Sequence, residues 1–600
     1  MNRLAASARV GIIEAGQYFP DDPLIDVPKN FGQNNGNPKY DWRFNTTPQA
    51  MLNGRVVPHP RGKVVGGSTA LNYLVFNRGS KTEYDSWSEI GNDGWSWDQL
   101  TPSFKAVSNY TAITANTTFP NADDASSANS QQQNYLGTDG PIHASYNSYA
   151  TDLQQPYVLA MNAMGISTNS APQSGNTTGI YNSPTAVDRA TGKRSYAASF
   201  YLKNLNNPNF VLLPGAQATK IEFSPDKRDG NLVATGVTYS VNGASYTVKA
   251  SKEVILSAGV FQSPHLLELS GIGNSTLLKQ FGINPLVDLP SVGENLQDHA
   301  MSTQMWQVNP GVVTWDQLRI NRTFALAASQ QYNTTHDGVL ASTINAVTFT
   351  SFQKTAENET VYQEMITGLD QWINSTGLTS LQRKQYEIQK RWINDGTVPG
   401  MEFVMIPSGG LTRTRPENDT SYITVAAILQ HPFSRGSVHL NSSDPLVLPS
   451  VDPKYLTSPF DTAALVQGVQ FVNRLLATEP LASLITTRVD PATNFTTAAH
   501  FEGYVRASLQ SIKHPIGTCV MAPKELGGVV DSSLKVWGTA NVRVVDASIM
   551  PHHVAAHTQS TVYAIGDKVR FRFVKLFPPS LPSSWLALFH PSFTHSPCWL

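Results

Sequence analysis

The chain has 600 residues, enough for roughly two to four domains, and its 40% hydrophobic and 10% aromatic content can fill a large core. A formal net charge of −1 with only 14% charged residues offers no basic excess for nucleic acid and no acidic tail. Two cysteines, Cys519 and Cys598, exclude a disulfide scaffold and a cysteine-rich metal site, and no apolar run reaches the ~18 residues that span a membrane.

Asn2 to Ala8 reads as the last turns of a helix. Val10 to Glu14 reads as a buried strand with Ala15 and Gly16 as its exit turn. A strand closing on a carboxylate is the second strand of a dinucleotide-binding βαβ unit, where the acid accepts a ribose hydroxyl ~20 residues after a glycine fingerprint. Only thirteen residues precede Glu14, and Gly-x-Gly-x-x-Gly occurs nowhere; Gly271 and Gly273 lack the third glycine. The expectation is a unit without its first strand and phosphate loop. Met1 to Arg9 also lacks the apolar stretch of a signal peptide. Residues 16–60, rich in Pro, Gly and Asn, read as an irregular excursion, and 110–150 as a mobile polar loop.

Alternating segments at Phe210–Leu213, Thr219–Phe223, Leu232–Val241 and Ser245–Ala250 predict antiparallel strands. Glu253–Ser257 predicts another buried strand, followed by a helix that Ser263 and Pro264 start and that runs through Leu269. A helix is expected over Asp461–Ala477, and Val542–Asp546 is again a buried strand closing on a carboxylate. After about Val569 the periodicity fails, and residues 571–600 read as an atypical tail.

Three constellations carry chemistry. Arg61 to Asn72 holds Gly66 and Gly67 before Ser68 and a helical run, a backbone N–H cluster suited to an anion. Ser257 to Gly273 is a strand-to-helix junction turning at Gly259. Last come His514-Pro515-Ile516-Gly517-Thr518, the strand ending at Asp546, and His557-Thr558-Gln559, which set two histidines on loops flanking one strand. His552, His553 and His557 have no acidic neighbour at ligand spacing, so no metal is expected. His514 and Cys519, five residues apart, do not establish a cysteine nucleophile.

In order and spacing these motifs resemble the signatures of the glucose–methanol–choline (GMC) flavoenzymes, over about Asn2 to Val569. The His514 and His557 segments are most similar to those of fungal aryl-alcohol oxidases and related dehydrogenases. The resemblance implies an α/β FAD-binding (Rossmann-like) domain interleaved with an α+β substrate domain built on an antiparallel sheet. Residues 1–90, 205–300 and 505–570 would form the first, and 91–204 and 301–504 the second. FAD would be held by Glu14 at the adenosine ribose, and by Gly66, Gly67, Ser68 and Asn72, with Arg61 and Val75 in the same signature. Ala218 would lie at the adenine, and Asp546 and Ala547 at the ribityl-diphosphate. Tyr73 falls where those enzymes gate the substrate channel with an aromatic residue.

His514 and His557 would face the flavin, His514 as the base that takes the hydroxyl proton of an alcohol and His557 as the partner orienting that hydroxyl. The hydride passes to the flavin, and oxygen or a quinone-like acceptor reoxidises it. Lys513 departs from the resemblance: aryl-alcohol oxidases usually carry an aromatic residue there. The expected strand loss leaves an inactive remnant that binds no FAD as the alternative. Twelve Asn-x-Ser/Thr sequons, at Asn45, Asn109, Asn116, Asn176, Asn274, Asn321, Asn333, Asn358, Asn374, Asn418, Asn441 and Asn494, predict a secreted glycoprotein.

Overall fold

The computed structural model describes residues 4–6, 8–112, 134–199 and 206–576. Its largest element is a seven-stranded sheet in the order Ile485–Asp490, Ala300–Val308, Tyr422–Leu429, Met401–Ile406, Ala346–Thr350, Gly179–Asn182, with Gln510–Ser511 added at the start of Ala300–Val308. All its pairings are antiparallel. Successive side chains point to opposite faces of a strand, and the central strands divide accordingly. Met401, Phe403 and Met405 join Ile423, Val425 and Ala427 in a core covered by the helices Pro459–Leu476 and Ala498–Ser508. Val404 and Ile406 face the other way, with Ala426, Ile428 and Ala555. That second face looks toward the loop carrying His557, so it is the face that builds the site.

A second core gathers Tyr84, Trp87, Trp95 and Phe104 with Leu267, Val542, Val544 and Ile565. Two pairs of parallel strands serve this region: Val10–Glu14 with Phe210–Pro214, and Val254–Leu256 with Val542–Val544. The latter pair is tied at its start by Arg543, which donates to both oxygens of Glu253 at 2.7 and 2.9 Å. Gln217–Phe223, Ala234–Val241 and Ala244–Lys249 form an antiparallel meander beside them. The fold therefore joins a cofactor-type α/β region to a substrate-type region with an antiparallel sheet. No helix among the described residues is long and apolar enough to cross a membrane.

Four local readings need correction. Phe210–Pro214 is a parallel partner of Val10–Glu14 and not an antiparallel strand. The helix after Val254–Leu256 starts at Gly259, and Pro264 lies inside it. A proline has no N–H for the carbonyl four residues back; that carbonyl, on Val260, accepts from Thr518 Oγ1 at 2.6 Å instead. Near the start, Leu4–Ala6 is a single 3₁₀ turn, and residues 1–3 and 7 of the expected helix end lie outside the described residues. At the other end, the helix Gln559–Leu576 continues past Val569. The expected tail beyond residue 576 and the centre of the expected polar loop, 113–133, lie outside the described residues.

At the end of Val10–Glu14 the chain makes a close crossing. Gln17 bridges to Val64, Val65 N–H donates to Gln17 O at 3.0 Å, and a Cβ on Gly16 would stand 2.1 Å from Val64 N. Gly16→Ala should therefore cost about 1–3 kcal/mol as the 62–68 loop is displaced. Gly11→Ala, where a Cβ meets nothing within 4 Å, should stay within about 0.5 kcal/mol of the parent. Thermal unfolding checks this, and equal midpoints for the two variants would contradict the crossing.

Candidate active site

His514 owes its place to the edge of the large sheet. Ser511 pairs with Ala300, and Ile512 N–H donates to His299 O at 3.1 Å, so His299 and His514 emerge side by side. Their Nδ1 atoms lie 3.0 Å apart. His514 N–H donates to Asp298 Oδ1 at 3.0 Å, and His514 O accepts from His553 Nε2 at 2.7 Å. The His553 ring stacks on His299 with centroids 3.5 Å apart. One residue earlier, Lys513 O accepts from Arg61 Nη2 at 2.7 Å. The loop is thus gripped at three consecutive backbone points. Behind it, Asp298 also accepts from the Tyr455 hydroxyl, whose oxygen is 2.9 Å from His59 Nε2.

His557 stands across from His514 with ring centroids 4.8 Å apart at 78°. Its Nε2 is 3.0 Å from Glu402 Oε1, and the other carboxylate oxygen accepts from Gln430 Nε2 at 3.0 Å. Glu402 is fully buried on the site-building face of Met401–Ile406. The His557 loop is fastened along its length to the segment after Gly67. Asn72 Nδ2 donates to Gln559 Oε1 and Gln559 Nε2 to Val75 O. Asn77 Oδ1 accepts from His557 N–H at 2.8 Å, Glu83 Oε1 from Ala555 N–H at 2.6 Å, and Tyr84 hydroxyl meets Thr561 at 2.8 Å. The first and third constellations read in the sequence are two halves of one hydrogen-bonded seam.

The electrostatics favour a neutral imidazole. Burial in the surrounding protein, with His557, His553, Arg61 and Lys513 adding, holds the His514 pKa well below the ordinary value. Burial does the same for His299 and takes His553 down to about 3. The Asp298 carboxyl is pushed up to about 6, chiefly by burial. His514 and His557 keep part of their surface open, whereas Glu402, Asp298, His299 and His553 are buried.

The residues expected at the cofactor separate into two groups. Glu14, Gly66, Gly67 and Ser68 lie together at the close crossing of Gln17 and Val64. Glu14 Oε1 accepts from Gly16 N–H at 2.7 Å, and burial pushes its pKa up to about 7. Ala216 N–H donates to Glu14 O, which brings the Gln217–Phe223 strand with Ala218 to the same end. Asp546 stands elsewhere, at the turn into the Gly259–Leu269 helix. It accepts from Gly259 N–H at 2.9 Å and Ser263 Oγ at 2.6 Å with one oxygen, and from Ser548 N–H and Oγ with the other. Ala547 O accepts from Gly517 N–H. Arg61 is directed at the His514 loop, and burial brings its pKa down to about 10. Tyr73 packs on Phe31 with centroids 4.8 Å apart, and Lys513 Nζ lies 5.5 Å from the Tyr73 centroid.

Sequence reasoning missed His299, Asp298, Glu402, Asn77 and Glu83. A signal existed for Glu402, a lone carboxylate in the apolar run Met401–Ile406, which burial obliges to find a partner. His552 and His553, unassigned from sequence, turn apart: His552 Nδ1 is 3.0 Å from Ser86 Oγ, and His553 supports His514.

Comparison with known proteins agrees with this architecture. The GMC oxidoreductase family matches the chain in an N-terminal part, residues 15–301, and a C-terminal part, residues 432–566. A dehydrogenase of Armillaria gallica is 38% identical over 583 residues, covering 94% of this chain and 90% of that protein. An FAD-dependent oxidoreductase from Chaetomium thermophilum superposes with a TM-score of 0.85 at 27% identity, over 96% of both chains. A fungal aryl-alcohol oxidase superposes with a TM-score of 0.81 at 26% identity, over 96% of this chain and 95% of that one. The chain therefore belongs to the GMC oxidoreductase family, whose cofactor is FAD.

Proposed function

We propose that the chain oxidises a primary alcohol, with His514 as the base and His557 as the group that orients the hydroxyl. The observation that carries this is the pair of partly open imidazoles with ring centroids 4.8 Å apart, each backed by a buried partner. An alcohol yields a hydride readily only as its hydroxyl proton leaves, and a neutral imidazole can take that proton. In the tautomer that serves, His514 carries its proton on Nδ1 and donates it to His299 Nδ1, leaving Nε2 bare. When Nε2 takes the alcohol's proton, the Nδ1–H to His299 becomes a charge-assisted hydrogen bond, which stabilises the cation. A proton shared between His557 Nε2 and Glu402 Oε1 fixes the ring plane and leaves the His557 Nδ1–H to donate to the alcohol oxygen, whose own hydrogen is then directed at His514.

The residues present fit FAD. Gly67 and Gly259 both have positive φ and a Cβ on either would meet nothing within 4 Å, and the turn at Gly67 follows Gly66, which has no side chain to cap it. Bound there, FAD supplies the hydride acceptor. Glu14 would hold the adenosine ribose, Gly66, Gly67 and Ser68 the phosphates, and the backbone at Ala218 the adenine. Asp546 and Ala547 would shape the turn that meets the ribityl-diphosphate. Arg61, Asn72 and Val75 would act through the loops they fasten, and Tyr73 would border the alcohol's path. The reading as an inactive remnant is not favoured, because both histidines and their buried partners are in place. Oxygen or a quinone-like compound would be the final acceptor; oxygen consumption set against dye reduction distinguishes them.

A secreted, glycosylated chain is part of the same reading. None of the eleven sequon asparagines within the described residues is buried.

His514→Ala in the FAD-loaded protein should slow anaerobic flavin reduction by roughly 10²–10⁴-fold, the scale of general-base catalysis, while the flavin stays bound. An unchanged rate in stopped-flow mixing would remove His514 from the base role. Produced in a yeast, the chain should run above its 65.4 kDa polypeptide mass and return to it after endoglycosidase treatment; no shift would contradict the secretory reading.

A further inference from the structure

The departure at Lys513 has a structural context that points to a substrate class. Lys513 has φ +67, in the left-handed region that a residue with a side chain rarely adopts. The backbone is fixed there on both sides. Its N–H donates to Ser511 Oγ at 2.7 Å, its carbonyl accepts from Arg61, and the next N–H goes to Asp298. The direction of the side chain is therefore imposed by the same grip that orients His514. It sets the ammonium over the Tyr73 ring, within the ~6 Å of a cation–π contact.

Tyr73 begins an aromatic wall. Phe31 lies 4.8 Å from it, and Trp315 lies 6.1 Å from Phe31. A Cβ on Gly32 would stand 2.8 Å from the Tyr73 hydroxyl, so the Phe31 segment lies directly against the ring. A second ammonium, Lys29, sits 5.5 Å from Phe31 and 2.7 Å from Trp315. Its Nζ is buried without a hydrogen-bond partner.

Neither lysine has a carboxylate within 4 Å among the described residues, although Lys81, Lys193 and Lys390 each have one. The nearby acids are engaged elsewhere. Asp316 accepts from Ser408 Oγ and from Tyr422 N–H, both at 2.8 Å. Asp298 holds the His514 loop, and Glu402 holds His557. Two lysines on one aromatic wall beside the base, neither in contact with a carboxylate and with Asp316 acting on Lys29 only from a distance, leave a place for an anion. Burial pushes the Lys29 pKa well down, and an arriving carboxylate would favour its charged form.

We propose that the substrate is an alcohol whose aromatic body lies along Tyr73 and Phe31 and whose carboxylate is bound by Lys513, with Lys29 further along the same wall. This rests on the alcohol-oxidising reading of His514 and names the class of alcohol. Lys513 is then a specificity determinant.

The test separates binding from turnover. Calorimetric titration of the FAD-loaded protein with benzoate and with benzamide should show benzoate bound roughly 10–100-fold more tightly, the scale of a charge-assisted hydrogen bond. Lys513→Met should abolish that preference and Lys513→Arg should keep most of it. Equal binding of the two probes by the unaltered protein, or a preference that survives both Lys513→Met and Lys29→Met, would overturn the proposal. In anaerobic mixing, 4-(hydroxymethyl)benzoate should then exceed 4-(hydroxymethyl)benzamide in kcat/KM by a similar factor. Equal kcat/KM values would overturn the anion site and leave the alcohol reading standing. A benzoate preference with no flavin reduction by either alcohol would do the reverse.

Discussion

The pairing of Ser511 with Ala300 is the contact on which the site depends. It is a short edge pairing, yet it fixes the register in which His299 and His514 leave the large sheet. A slip of one residue would turn every side chain to the opposite face and part the two rings. Asp298 and Arg61 guard against that slip by holding the backbone at His514 and Lys513. The large sheet thus supplies His514 with its place, its imidazole partner His299 and its neighbour Lys513.

The same sheet supplies the second histidine with its anchor, by a different route. Glu402 projects from a central strand whose alternate residues build the main core, so its position is as rigid as that core. A carboxylate in such a place is costly unless fully bonded, and it is bonded to His557 and Gln430. His557 itself comes from a separate loop, stitched to residues 72–84. The pair therefore straddles two structural regions, and each histidine is held by groups from both. That arrangement lets a rigid fold keep two rings partly open, which catalysis needs.

The parts of this account that were legible in the sequence are those with local signatures. Glu14 ends a short apolar strand of which only Val10 is buried, and Asp546 stands two residues beyond the buried strand Val542–Val544; both strands are readable as short apolar runs. The direction of Phe210–Pro214 was not readable, because parallel and antiparallel strands share the same period of two. The start of the helix at Gly259 was obscured by Pro264, which ordinarily marks a first turn; only the distant Thr518 hydroxyl explains its place inside. Glu402, Asp298 and His299 were invisible for a related reason. Each acts on a residue more than 150 positions away, and no spacing rule reaches across a sheet. Asp546 shows the converse: its position was readable, whereas its bonds to Gly259 and Ser263 were not.

The central claim is that His514, set partly open among cationic side chains and other imidazoles, stays neutral and is the base. The direct measurement is the rate of anaerobic flavin reduction by a saturating alcohol as a function of pH. With the His514 pKa held well below its ordinary 6.5, the rate should remain level from about pH 8 down through about pH 6, since the imidazole remains able to accept a proton. A rate that falls through a single midpoint near the ordinary imidazole value would contradict the account.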